Sequence, residues 1–238
     1  MTALLQLKGV TKRFDGLVAN EDVSFDVARG EIVGLIGPNG AGKTTLFNCV
    51  AGAFPPSAGS VTLDGRRISG LPPEKCARAG VGRTFQIART FHGMTALENV
   101  LTGALLRERR VAPAREKARG WLAFARLERL ADRPARTLTI SEQRRLAVAR
   151  ALATEPSLLL MDEVMAGLNP SEVRETVDVV LAIRARGIAC LIVEHVLEGI
   201  MPIADKIVVL DRGRKIAEGA PAAVQADPVV INAYLGDA

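Results

Sequence analysis

Gly37-Pro38-Asn39-Gly40-Ala41-Gly42-Lys43-Thr44 fills every fixed position of the pattern G-x-x-x-x-G-K-[ST]. The run before it, Glu31-Ile32-Val33-Gly34-Leu35-Ile36, reads as a buried strand. The run after it, Thr44-Thr45-Leu46-Phe47-Asn48-Cys49-Val50, reads as a helix. A strand that feeds a glycine-rich loop and then opens a helix is the setting in which this pattern holds phosphate. Gly37, Gly40 and Gly42 permit backbone angles and a close approach that a side chain would block. The loop then turns its N–H groups inward as an anion nest at a helix N-terminus. Lys43 adds a mobile point charge for the β- and γ-phosphates, and the Thr44 hydroxyl suits Mg²⁺. Together with Pro38, Asn39, Ala41 and Thr45, these are the candidate nucleotide-binding residues.

Binding alone does not imply turnover, which needs an acidic element. Ser157-Leu158-Leu159-Leu160-Met161-Asp162-Glu163 supplies one. Its apolar run reads as a strand covered on both faces. It ends in two carboxylates where such a strand reaches the ligand edge of an open α/β sheet. Asp162 is placed to hold the Mg²⁺ shell. Glu163, one residue further and across the pleat, suits a general base that polarises the attacking water. A strand followed by an acidic helix cap would look the same in isolation; the phosphate loop upstream favours the catalytic reading.

The rest of the chain fits an α/β architecture. Residues 4–36 read as strands, with alternation in Val23-Ser24-Phe25-Asp26-Val27. A short strand follows at Ser60–Leu63, a helix from Pro72 or Pro73 to Ala79, and a strand at Val81–Phe85. From 86 to 140 the composition turns rich in Leu, Ala and Arg with few β-branched residues, which reads as helical with breaks at Gly103, Pro113 and Pro134. After 150, strand and helix patterns alternate at 157–162, 170–186, 188–193 and 196–203. Two short strands, 206–210 and 214–218, and a helical tail complete the chain. Such alternation implies a parallel sheet with crossovers. The expected division is a single domain over 1–238, with an α/β core at 1–86 and 151–238 and a helical subdomain at 87–150.

Bulk properties narrow the function. A chain of 238 residues is long enough for one full core. Its apolar runs are far shorter than the ~18–20 residues of a membrane span. The N-terminal stretch Met1–Leu7 lacks the basic region and long apolar core of a secretory signal. The net charge of +5 is scattered, and the nine aromatic residues do not interleave with the basic ones as a base-stacking platform would. Nucleic acid is therefore not an expected partner. Cys49, Cys76 and Cys190 form no C-x-x-C pair. Cys49 and Cys190 lie in apolar runs and read as core thiols in a reducing compartment.

With these motifs in hand, the chain resembles the ATP-binding subunits of ABC transporters, over nearly its whole length and in the family's order. Gly37–Thr44 matches Walker A and Leu158–Glu163 matches Walker B. Gln86, in Arg83-Thr84-Phe85-Gln86, sits at the Q-loop glutamine. Ala166-Gly167-Leu168-Asn169 matches the D-loop, His195 the switch histidine, and Phe14 the aromatic that stacks on adenine. Longer runs, Val81–Gln86 with Arg89-Thr90-Phe91, Leu191–His195, and Asp227–Gly236, are similar to the import subunits for branched-chain amino acids. The resemblance implies a P-loop NTPase core of mostly parallel strands with helices on both faces, an antiparallel β subdomain and an inserted helical subdomain. It implies Mg-ATP as cofactor, Glu163 as base, and His195 and Gln86 as catalytic partners, with Gln86 also near the metal. It further implies a second ATPase subunit, a copy or a paralogue, and permease subunits at the cytoplasmic face of the inner membrane. An extracytoplasmic binding protein would be an indirect partner.

One departure stands out. Where the family carries Leu-Ser-Gly-Gly-Gln, this chain has Leu138-Thr139-Ile140-Ser141-Glu142. Thr139, Ser141 and Glu142 are the candidate contacts to a nucleotide bound by the opposite subunit. Ser141 replaces the second glycine, where its Cβ would crowd the γ-phosphate unless the serine serves as the helix cap. Two other readings compete with a transport ATPase. One is a soluble ABC-type regulator or nucleic-acid-associated ATPase without a permease, against which the single compact cassette argues. The other is a nucleotide-binding module that has lost turnover through Ser141.

Overall fold

The computed structural model describes residues 3–84 and 90–235. Ile32–Ile36 (β3), Leu158–Asp162 (β7) and Ala189–Val193 (β8) are buried along their full length. Strands covered on both faces show no polar alternation, which is why these runs read as nearly continuous apolar stretches. They pair in parallel, together with Val81–Arg83 (β6) and Lys206–Asp211 (β9). Arg214–Gly219 (β10) closes one edge in antiparallel fashion, giving the order β10-β9-β3-β8-β7-β6. A second, antiparallel sheet holds Ala3–Phe14 (β1), Leu17–Ala28 (β2), Ala58–Leu63 (β4) and the short Arg66–Arg67 (β5), in the order β2-β1-β4-β5.

The pleat divides the core into two layers. Val33 and Leu35 of β3, with Leu158 and Leu160 of β7, face Leu46, Phe47 and Val50 of the helix Lys43–Val50 (α1) and the inner face of the antiparallel sheet. Ile32 and Ile36, with Leu159 and Met161, face the other way. There they meet Val180 and Ile183 of Pro170–Arg184 (α6) and Ile200 of Leu197–Ile200 (α7). Each fully buried side chain of this kind stabilises the fold by about 1.5–3 kcal/mol relative to exposure. Cys190 lies in the second layer and Cys76 in the first, while Cys49 is buried on α1. All three are free and buried, and burial pushes the Cys49 thiol up to about 11 and Cys190 to about 12.

Ala96–Ala104 (α3), Val111–Phe124 (α4) and Ile140–Leu152 (α5) pack around an apolar cluster of their own, with single 3₁₀ turns at Glu128–Leu130 and Ala135–Thr137 between them. The last turns of α5 also reach the core through Val148, Ala151 and Leu152, so this helix bridges the two clusters. The expected break at Pro113 is not one. Pro113 is the third residue of α4, in the first turn, where a missing N–H costs nothing. The break falls instead between Leu105 and Arg110. Gly103 lies in the last turn of α3 because a Cβ there would strike the Arg150 carbonyl oxygen of α5. The helix expected over 196–203 is only Leu197–Ile200, and the strand expected over 81–85 is Val81–Arg83, with Phe85 outside the described residues. The helix expected at Pro72 or Pro73 is Pro73–Ala79 (α2), and the tail forms Pro221–Gln225 (α8) and Pro228–Leu235 (α9). Among the described residues no helix is long and apolar enough to cross a membrane.

Candidate nucleotide site

The loop after β3 is held in shape from outside as well as by its own glycines. Gly37 has φ +146°, and a Cβ there would run into the Leu210 carbonyl oxygen of β9. Gly42 caps α1 with φ +93° and no side-chain cap. A Cβ on Gly42 would meet the Ala19 carbonyl oxygen and the Asn20 side chain. Asn20, fully buried at the bend of β2, donates from Nδ2 to the Gly42 carbonyl at 3.2 Å. The Gly213 N–H donates to the Ala41 carbonyl at 3.1 Å, and the Glu21 N–H to the Gly213 carbonyl at 2.8 Å. The first-turn N–H groups of α1 are thereby left to face outward, carrying the positive end of the helix dipole. In front of them opens a cleft of about 500 Å³, lined by residues 39–45, by Leu17, Val18 and Ala19, and by Glu163, Arg212 and Gly213.

Lys43 is almost completely buried at the foot of this cleft. Its ammonium donates to the carbonyls of Gly37 at 2.7 Å and Pro38 at 2.9 Å. Burial pulls its pKa below the usual lysine range, and the charges of Glu163 and Asp162 pull it back up. Asp162, the buried end of β7, is held above the usual carboxylate range by its burial, against the Arg83 guanidinium 3.7 Å away. Arg83 also donates to the Asn48 side chain of α1 at 2.7 Å and lies over the Phe47 ring, so β6, α1 and β7 are tied together behind the carboxylate.

Glu163 follows with φ +49°, a left-handed conformation that glutamate rarely adopts. Its N–H donates to the Val193 carbonyl at 2.8 Å. That bond turns the side chain out of the sheet and into the cleft, with Oε1 3.8 Å from Nδ1 of the half-exposed His195. A residue that the sequence reading passed over stands beneath them. Glu194 is fully buried, and its Oε1 accepts the Met165 N–H at 2.7 Å. Burial holds it above the usual carboxylate range, opposed by N–H groups of Met165, Val196 and His195. Glu194 thus joins the turn that carries Glu163 to the one that carries His195.

The structure brings together residues 39–45, Glu163 and His195, with Gly37 and Pro38 behind them as the perch of Lys43. Thr44 is exposed in the first turn of α1. Phe14 does not line the cleft. Its ring meets Phe54 edge-on at 5.2 Å, with the Lys12 ammonium over both rings. Thr139, Ser141 and Glu142 lie on the helical layer, away from the cleft. Thr139, not Ser141, caps α5: its hydroxyl accepts the Glu142 N–H, and the Glu142 carboxylate accepts the Thr139 N–H at 2.8 Å. The serine-as-cap alternative is therefore excluded. Ser141 is the second helical residue and lines a separate cavity of about 60 Å³ between α5 and α6. Gln86 lies outside the described residues. Asn20, Arg83, Glu194 and Arg212 were not found from the sequence; only Glu194, a charge directly after an apolar strand, carried any local signal.

Comparison with known proteins gives the family. The family model described as ABC transporter matches residues 20–166, and that of the branched-chain amino acid ATP-binding cassette transporter matches residues 214–238. The high-affinity branched-chain amino acid transport ATP-binding protein BraF of Pseudomonas aeruginosa is 42% identical, over 99% of this chain and 98% of its own. The corresponding protein LivG of Salmonella typhimurium is 41% identical over the same shares. The crystal structure of the ADP conformation of MJ1267, an ATP-binding cassette of an ABC transporter, superposes with a TM-score of 0.90 at 31% identity, covering the whole of both chains. The chain is an ATP-binding cassette and belongs to the ABC transporter family.

Proposed function

We propose that this chain binds and hydrolyses Mg-ATP to energise the import of branched-chain or closely related amino acids. The observation that supports the chemistry is one cleft lined by residues 39–45 and Glu163, with His195 3.8 Å from Glu163 and the charge of Asp162 felt by Lys43. The triphosphate lies on residues 37–44 with Thr45 beside them. The adenine occupies the wall near Leu17, Val18 and Ala19.

Thr44 and Asp162 fit a magnesium ion. They offer a hydroxyl and a carboxylate, the hard oxygens this ion takes. Such an ion completes its shell with phosphate oxygens and water. The bound ion would neutralise charge on the β- and γ-phosphates. Glu163 takes the proton of the attacking water, and its fixed left-handed backbone aims the carboxylate there. His195 holds the γ-phosphate and the base in register. By the resemblance, Gln86 would be a further contact to the water and the metal.

Thr139, Ser141 and Glu142 stand too far from this chain's own cleft to serve it, so they act on the nucleotide of a second cassette, a copy or a paralogue. The pair closes on ATP and reopens after hydrolysis, driving permease subunits to which the cassette attaches peripherally on the cytoplasmic side. An extracytoplasmic binding protein delivers the amino acid. The substrate assignment rests on the relatives, since no residue of this site recognises an amino acid. Glu163→Gln tests the chemistry. Nucleotide affinity should be kept while turnover falls by about 10²–10⁴. Parental turnover in the assembled transporter would remove Glu163 from the role of base.

A further inference from the structure

Glu163 stands on a turn whose own bonds hold it loosely. It is the first residue past β7, at φ +49°, and Gly167, at φ +68°, is a second left-handed joint four residues on. Glutamate keeps such a conformation only where its surroundings over-determine it. The bonds within the turn are long. The Ala166 N–H reaches the Glu163 carbonyl at 3.4 Å, and the Leu168 N–H reaches the Met165 carbonyl at 3.3 Å. Two shorter bonds come from the end of β8. The Val193 carbonyl accepts the Glu163 N–H at 2.8 Å, and Oε1 of Glu194 accepts the Met165 N–H at 2.7 Å.

One bond would fix where the turn starts and let the chain swing about it. Two bonds, to residues 163 and 165, close a ring and fix its direction. Consecutive residues 193 and 194 supply both, and His195 comes next. The bracket therefore sets Glu163 relative to His195, whose Nδ1 lies 3.8 Å from the Glu163 carboxylate. Met165 extends the bracket on its far side. Its side chain is buried with Ile192 and Ile200, and a Cβ on Gly199 of α7 would strike its sulfur. The helix that follows His195 is thus packed on the residue that Glu194 holds.

As a device for stability alone, the acid is a poor choice. Glu194 is fully buried, and its Oε2 makes no hydrogen bond among the described residues. A buried polar atom left unpartnered disfavours the fold. An apolar side chain would fill the same space without that cost, but it could not accept the Met165 N–H. We propose that Glu194 is a positioning residue for hydrolysis: its carboxyl oxygen pins Met165 so that Glu163 and His195 keep the spacing that turnover needs. This rests on reading Glu163 as the base and His195 as its partner. Glu194 is not part of the cleft wall. Its loss therefore slows turnover at saturating ATP and leaves nucleotide affinity in place.

The test measures turnover in the assembled transporter, and MgADP affinity and amide hydrogen exchange at Met165 in the full chain. Glu194→Met keeps the length of the side chain and removes the acceptor. Turnover at saturating ATP should fall about 10- to 100-fold, the range for a displaced catalytic group. MgADP should bind within about twofold of the parent, and exchange at Met165 should speed up. Glu194→Gln keeps an oxygen of the same reach and should recover turnover to within about threefold of the parent. Glu194→Asp keeps the acid, falls one methylene short and should behave as Glu194→Met; it decides the matter if the methionine chain does not fold. Parental turnover in the chains that lack the bond overturns the proposal. So does a glutamine chain as slow as the methionine one, because charge and not reach would then matter. A loss of MgADP affinity as large as the loss of turnover, or failure of both the methionine and aspartate chains to fold, would make the role structural and overturns it too. Parental turnover in Glu163→Gln would instead overturn the reading of Glu163 as base, and is read separately.

Discussion

Replacing Lys43 with methionine keeps the length and burial of the side chain and deletes one charge at the foot of the cleft. Lys43 is only 8% exposed, so its ammonium meets phosphate in a partly dry setting. At an effective dielectric of about 20, unit charges about 4 Å apart attract by about 4 kcal/mol. Against this, the lysine must first leave the carbonyls of Gly37 and Pro38. Exchanging those two bonds for phosphate contacts returns about 2 kcal/mol of the gain. The net is about 2 kcal/mol, or about 30-fold in the dissociation constant. In the empty protein two effects oppose each other. Methionine leaves two carbonyls without a donor but removes a buried charge, which burial already disfavours. Thermal melting is therefore the control, and isothermal titration with MgADP is the assay. A variant that melts like the parent and binds MgADP within threefold of it would refute the assignment of Lys43 to the phosphates.

Gly42→Ala places a Cβ against the Ala19 carbonyl and Asn20 at φ +93°. A strain of about 1–3 kcal/mol should lower the melting temperature by about 3–10 °C and weaken MgADP more than tenfold; parental melting and binding would show that the loop tolerates the methyl. Glu194 gives a pH dependence of definite sign. Burial raises its folded pKa above 4.5, so the native state keeps the proton to higher pH than the unfolded chain, and stability falls as pH rises from about 4.5 through the folded value. Melts at pH 5 and pH 7.5 should show a smaller acid gain for Glu194→Gln than for the parent, and parallel curves would contradict this. Asp162, shifted the same way by burial, keeps part of the gain in both chains. Ser141→Gly should leave the start of α5 intact, because Thr139 and Glu142 cap it. It should raise turnover of the assembled complex a few-fold, as expected for a relieved contact of about 1 kcal/mol. Equal rates would mean that the serine is accommodated at the facing nucleotide.

The phosphate loop was legible in the chain because its chemistry is local. A nest of N–H groups and one lysine need only eight consecutive residues, and the strand and helix on either side announce themselves by their own periodicity. Asp162 and Glu163 were legible for a related reason: a buried strand that ends in carboxylates can put them only at the sheet's edge. Pro113 was misread because proline breaks a helix interior but not a first turn, and nothing local says where the turn begins. Asn20, Arg83 and Glu194 stayed hidden because each acts through a partner remote in sequence, and Arg212 because only the fold brings it to the wall of the cleft. Asn20 bonds a carbonyl 22 residues away, and Arg83 and Asp162 meet only because β6 pairs with β7. Strand order decides such meetings. Placing β3 between β9 and β8 sets Leu210 against Gly37, and pairing β7 with β8 sets Glu163 beside His195. Residue type and spacing determine what a segment can do. Which segments share a cleft follows from pairing and packing across the whole chain, because those contacts are stabilised only when both faces of the sheet are covered at once.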